Sequence, residues 1–197
     1  MTIHPQMTMY KDDPPPKFSI WEPPSEQNSF TTSELELLSH TGTHVDAPSH
    51  LFTSAKSIDQ ISLDSLVGEA IVVETLPDGN LSLHSNTQGK IILLKTGEST
   101  YLSKRVYRDK FLVPNAIEIK KLINANIKAI GIDTFSIDNS ETEVINHHLL
   151  FKASIPIIEG LNLYDISSGE YFCVCLPLKL QGLDGGPARA ILISWDS

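Results

Sequence analysis

The sequence predicts an α/β fold rich in strands, and three observations carry that expectation. Aliphatic or β-branched runs of strand length are followed by turn chemistry, as in Glu69 to Leu76 before Pro77-Asp78-Gly79-Asn80 and Ile91 to Lys95 before Thr96-Gly97. One stretch, Asn115 to Ile127, spaces Ile117, Ile119, Leu122, Ile123 and Ile127 near the helical period and begins directly after Pro114. The composition, 41% hydrophobic and 20% charged over 197 residues, is that of a globular chain long enough for one domain with a real core.

Taken in order, residues 1–30 read as a proline-rich extended segment. Asp12-Asp13-Pro14-Pro15-Pro16 and Pro23-Pro24 break any regular element there. Leu35 to Asp46 follows as a strand, then the strands Glu69 to Leu76 and Ile91 to Lys95 and the helix 115–127. Lys128 to Asp133 reads as a strand ending in an aspartate, Glu141 to Phe151 as a short helix, and Ile155 to Ile158 as a strand ending at Glu159-Gly160. Tyr171 to Leu180 and Ala188 to Trp195 complete the strands, separated by a turn-rich loop over Gly182 to Pro187. No repeat or domain boundary interrupts this pattern, so residues 1–197 are expected to form a single domain.

Composition also narrows the partners. The net charge is -9 and Lys and Arg form no basic run, which argues against a nucleic-acid partner. Met1 to Asp13 lacks the apolar core of a signal peptide, and no stretch approaches a membrane span, so a cytoplasmic location without membrane contact is expected. Cys173 and Cys175 lie two apart in an apolar run. A disulfide across one residue is strained and no further cysteine completes a zinc site, so both are read as small core residues in a reducing compartment.

Chemistry concentrates in His40-Thr41-Gly42-Thr43-His44-Val45-Asp46-Ala47-Pro48-Ser49-His50. Three of the seven histidines and one carboxylate fall within eleven residues; His147-His148 form a pair, and only His4 and His84 stand apart. On a strand, His40, His44 and Asp46 would share a face, with Gly42 leaving room for an ion. Thr41, Thr43 and Val45 favour a strand over a helix, and Pro48 ends the run. Each residue alone is best explained as surface or core, but the set has the N and O donors that zinc or manganese takes. His50 lies past Pro48, where parity no longer fixes direction. Further donors are His147 or His148, between which spacing does not choose, and Glu159. A bridging Asp46 would join two ions about 3.5–4 Å apart. No Gly-x-Ser-x-Gly occurs, and Gly182, Gly185 and Gly186 are not followed by Lys-Ser or Lys-Thr in P-loop spacing.

These residues resemble the cyclase family of metal-dependent hydrolases, which includes bacterial kynurenine formamidase and isatin hydrolase. His40 to His50 is similar to the family's His-x-Gly-Thr-His-x-Asp-x-Pro-x-His motif. Tyr10 to Pro14, Leu93 to Gly97, Gly131 to Thr134, His147 to Leu150, Ile158 to Leu161 and Leu176 to Lys179 with its trailing Gly182 to Arg189 resemble further family blocks. The resemblance implies a swivelling β/β/α fold with a mixed sheet and flanking helices. It implies that His40, His44 and Asp46 hold one divalent ion, zinc or manganese, and that Asp46, His147 and Glu159 hold a second. It implies that Asp46 takes part in catalysis, that His50 is the acid/base, and that the molecule is a homodimer or homotetramer acting on a small-molecule substrate. The expected reaction is hydrolysis of a formyl amide or small cyclic amide by hydroxide from metal-activated water. An ester or lactone hydrolase, or a non-catalytic metal protein, is the alternative. Lys11-Asp12 stands where the family has Pro-Gly, and Glu98 where formamidases tend to have Trp, so the substrate pocket is expected to differ. Phe18, Trp21 and Phe52 are candidates for an aromatic pocket wall, although packing explains each more simply.

Overall fold

The computed structural model describes residues 1–25, 29–83, 85–103 and 106–195; His84 lies outside them. The first two strands, β1 (Lys17–Glu22) and β2 (Thr32–Glu36), form an antiparallel hairpin whose strand residues are all exposed. The remaining strands are β3 (His44–Asp46), β4 (Val67–Glu74), β5 (Ile91–Lys95), β6 (Ala129–Ile132), β7 (Ile157–Glu159), β8 (Gly169–Pro177) and β9 (Gly185–Ile193). They close a barrel in the order β3-β7-β6-β5-β4-β8-β9. It is mixed: β4 to β7 run parallel, while β3, β8 and β9 are antiparallel to their neighbours. Closure rests on β3, which pairs with β7 on one side and β9 on the other.

The parallel strands are buried on both faces, as near-continuous aliphatic runs such as Ile91-Ile92-Leu93-Leu94 require. Alternate residues from all seven strands, among them Val45, Val72, Leu93, Ala129, Ile158 and Cys173, fill the interior. Gly131 faces the same interior because a Cβ there would come within 2.6 Å of Leu93 Cδ2. The opposite parity, including Ile71, Ile92, Ile130 and Ile157, packs outward against Ile119 and Leu122 of α2 (Ala116–Asn124) and Leu150 of α3 (Ile145–Lys152). A five-residue helix, α1 (Ser99–Ser103), follows β5. Asn115 caps α2, its Oδ1 accepting the N–H groups of Ile117 and Glu118 at 3.1 Å each. Cys173 and Cys175 are buried and free. Phe172 and Val174, on the other face of β8, are only half-buried, so this strand has one core face rather than two. Among the described residues, no helix is long and apolar enough to cross a membrane.

Several elements depart from the sequence expectation. Residues 1–30 are not free of regular structure: the strand β1 forms between the two proline clusters, where Phe18 and Ile20 alternate with Lys17 and Ser19. The expected strand Leu35 to Asp46 splits, because Gly42 adopts φ +71° and Thr41 N–H bonds back to Leu38 O. The helix expected from Glu141 begins at Ile145, after Asn139 Oδ1 has taken the N–H groups of Glu141 and Thr142 into a turn. The last strand begins at Gly185, inside the expected loop, because Gly185 and Gly186 pair with Asp46 and Val45. The mixed sheet is a closed barrel.

Gly160 is the tightest junction. Its φ is +64°, and a Cβ would lie 2.5 Å from the Gly42 carbonyl oxygen, which is backbone and cannot swing aside. Gly160→Ala is therefore expected to cost about 2 kcal/mol or more, read as a lower urea midpoint at unchanged slope. An unaltered midpoint would contradict this packing.

Candidate metal centre

Since Val45 points into the barrel, its neighbours His44 and Asp46 point out of it. Register places Glu159 of β7 directly opposite His44, and α3 brings His147 over the same spot. His40 arrives by a different route from the strand parity expected: the turn at Gly42 folds it back onto β3. His40 Nδ1 lies 2.8 Å from Asp46 Oδ1, and His44 Nε2 lies 3.1 Å from that oxygen and 3.5 Å from Glu159 Oε2. His147 Nε2 is 3.5 Å from Asp46 Oδ2 and 3.4 Å from Glu159 Oε1. His148 turns away, its ring 5.4 Å from that of Phe52.

Each of these three histidines has one ring nitrogen tied outward and the other aimed at the carboxylates. His40 Nε2 meets Asp184 Oδ2 at 2.9 Å, His44 Nδ1 donates to Gly42 O at 2.9 Å, and His147 Nδ1 meets Asp138 Oδ2 at 2.8 Å. Asp138 also accepts the backbone N–H groups of Asn146 and His147, so it starts α3 and sets the phase that selects His147. Glu159 Oε1 accepts the N–H of Ile137 at 2.7 Å. Outward tethers of this kind orient histidines that ligate metals.

Charge completes the picture. Asp46 and Glu159 are buried together, and among the described residues no Lys or Arg pairs with either. Burial disfavours a charged ring at His44, but Asp46 and Glu159 outweigh it and raise its pKa to about 10. Against the same burial, the hydrogen bond to Asp138 and the nearby carboxylates of Asp46 and Glu159 raise His147 to about 12. Burial would raise Asp46, yet the surrounding histidines hold it well below the usual carboxylate range. His44 Nε2 and Asp46 Oδ2 are buried without a hydrogen bond, as donors waiting for a cation would be. Two groups of potential ligand atoms, His40/Asp46/His50 and His44/Asp46/Glu159, each lie within 4.8 Å and share Asp46. The N and O donors, the buried negative charge and the orphaned atoms fit a divalent ion.

A cleft of about 480 Å³ opens over the centre, lined on its outer side by Tyr10, Leu38, His50, Phe135 and Glu143. His50 stands at its rim, its ring 4.2 Å from that of His40. Phe18 and Trp21 are on the exposed hairpin and do not line this cleft, and neither does Phe52. Glu98 does not line it either, being buried against Arg108 at 2.9 Å. Lys11 lies with its Nζ 5.1 Å over the Tyr10 ring.

The Cyclase family model matches residues 1–139. The chain belongs to the cyclase family. It is 31% identical over 174 residues to a kynurenine formamidase of Salinibacter ruber, covering 85% of this chain and 82% of that protein. Cyclase-like protein 1 of Oryza sativa subsp. japonica is 32% identical over 187 residues, which is 83% of this chain but 65% of that relative's length. The solved structure of a potential metal-dependent hydrolase with cyclase activity matches with a TM-score of 0.83 at 30% identity, covering 98% of this chain and 94% of that one.

Two carboxylates of this cyclase-family site, Asp138 and Asp184, were not among the residues the sequence singled out. Their role is to hold rings rather than to face the centre, and neither falls within the histidine motif. A Gly-Gly pair after Asp184 is the one available signal, since it permits close approach of another segment.

Because the metal-free histidines stay protonated well above neutrality, an ion must displace their protons. Loading with two ions at pH 8 is expected to release about two protons per chain, one each from His44 and His147, so each ion's apparent affinity should rise about tenfold per pH unit up to that pH. Titration calorimetry in buffers of different ionisation enthalpy reads the count; a release near zero would mean that His44 and His147 are already neutral.

Proposed function

We propose that this chain is a metal-dependent amidohydrolase of the arylformamidase type, cleaving the C–N bond of a formyl amide or a small cyclic amide. The observation that carries it is the set of three histidines, each tied at one nitrogen and aimed with the other at Asp46 and Glu159. The similarity to kynurenine formamidase supports the formamide class. His40, His44 and Asp46 would hold one zinc or manganese ion, and Asp46, His147 and Glu159 a second, with Asp46 shared. Bound there, divalent metal makes a water acidic enough to lose its proton near neutral pH and offsets charge on the substrate carbonyl oxygen.

The remaining work falls to the protein. Asp46, fixed on β3, orients the attacking water through its carboxylate. His50, 38% exposed in its side chain at the cleft rim, takes the proton from that water and returns it to the departing nitrogen. That return is needed because an amide anion is a very poor leaving group. Tyr10 and Phe135, with ring centroids 6.3 Å apart, give the cleft an aromatic wall for an aryl substrate.

The fold reading extends to a single domain over residues 1–197, of the swivelling β/β/α type with flanking helices; the one barrel with α2 and α3 on its parallel side supports it. A homodimer or homotetramer is favoured by the exposed Phe18, Ile20 and Leu35 of the hairpin. Free buried Cys173 and Cys175 suit the cytoplasm.

N-Formylkynurenine supplied to zinc- and manganese-loaded protein tests the reaction. His50→Ala should keep its metal and lose turnover by about 10²–10⁴-fold, whereas Asp46→Ala should lose metal. Loaded wild-type protein that leaves formylkynurenine, cyclic amides and formanilides intact would overturn the assignment. Full metal occupancy in Asp46→Ala would remove the shared ligand.

A further inference from the structure

The Asp184-Gly185-Gly186 stretch has no part in the reaction just described, yet it touches both halves of the site. Asp184 sits at the entry to β9, where its backbone carbonyl accepts the Ala47 N–H at 2.9 Å. Ser39 Oγ donates to its Oδ1 at 2.9 Å. The other oxygen, Oδ2, is 2.9 Å from His40 Nε2 and 3.2 Å from His50 Nδ1. Gly185 makes this possible: a Cβ there would lie 2.9 Å from His40 Cε1 and 3.0 Å from Val45 O, so only glycine lets the ring lie against the strand and reach Asp184.

We propose that Asp184 is a positioning residue that fixes the metal-facing His40 and the proton-transferring His50 through one carboxylate oxygen. An ionised carboxylate only accepts, so the nitrogens that face it carry the protons: Nε2 of His40 and Nδ1 of His50. In a neutral His50 ring the other nitrogen, Nε2, then holds a lone pair for the water and the leaving nitrogen. His40 Nδ1 faces a second carboxylate, Asp46 Oδ1 at 2.8 Å, so in the metal-free protein it carries a proton too, and a bound ion would take that proton's place. The first half is the carboxylate–histidine arrangement that supports metal ligands, and the second is the orienting role a carboxylate plays behind a general base. Because one oxygen serves both rings, and Ser39 and Ala47 hold Asp184 in place, a shift that suits one ring disturbs the other. Metal loading and base orientation are coupled.

The kinetic part of this proposal rests on the amidohydrolase reading; the binding and spectroscopic parts do not. In chelator competition, Asp184→Ala should weaken zinc binding by about 10–100-fold. At saturating zinc its kcat should fall at least tenfold with KM nearly constant. Asp184→Asn, whose carbonyl oxygen accepts the same two bonds, should recover most of both. In a His50→Ala background, Asp184→Ala should lower kcat no further. Side-chain ¹⁵N spectra of loaded protein at pH 8 should show His50 as the Nδ1–H tautomer, and a mixture in Asp184→Ala. An unchanged zinc affinity together with an unchanged His50 tautomer would overturn the proposal, as would an equal kcat loss with and without His50. If loaded wild-type protein turned over no substrate, the amidohydrolase reading would fail, and affinity and tautomer would still decide the role of Asp184.

Discussion

Two carboxylates buried side by side, Asp46 on β3 and Glu159 on β7, are the constraint around which the site is organised. Taking an ionised carboxylate out of water is costly unless opposite charge and hydrogen bonds replace the solvent. Among the described residues the compensation comes from imidazoles rather than from Lys or Arg, and that choice makes the site exchangeable. Protons on His44 and His147 balance the charge in the metal-free protein, and a divalent cation would balance it in their place. In the metal-free protein this proton-based stabilisation is complete below the ordinary histidine pKa and is lost as pH rises through about 10 for His44.

The barrel supplies what such a centre needs, which is fixed geometry in a setting too crowded for ordinary side chains. The three-residue strand β3 closes the barrel from both sides, so Asp46 and His44 are held by backbone pairing to two neighbours rather than by a loop. Glycines stand where the backbone or a ring must come close: Gly160 against the turn before His44, and Gly185 against His40. The outward face of the parallel strands is sealed by α2 and α3, and the start of α3 is tied down by Asp138. Packing and metal-site geometry therefore share residues, and Asp138 serves both.

Much of the architecture was legible because it is local. The aliphatic runs of β4, β5 and β6 and the capped helix α2 lie close to where periodicity and turn chemistry place them. The histidine motif was legible for the same reason, since its donors lie within eleven residues. What could not be read depends on contacts far apart in sequence. Closure of the barrel turns on β3 pairing with strands more than a hundred residues away. His40 reaches Asp46 through a left-handed glycine, a detour that strand parity cannot register. The placement of His147, rather than His148, beside Asp46 follows from the phase of α3, which Asp138 sets from outside the helix. Asp184 was invisible because its neighbours in space, His40 and His50, are remote along the chain.

The most direct test of this account is anomalous diffraction from crystals of the zinc-loaded protein. It predicts two peaks about 3.5–4 Å apart on either side of Asp46, one against His40 and His44 and the other against His147 and Glu159. A peak held away from Asp46, or zinc that binds without engaging the buried carboxylates, would contradict it.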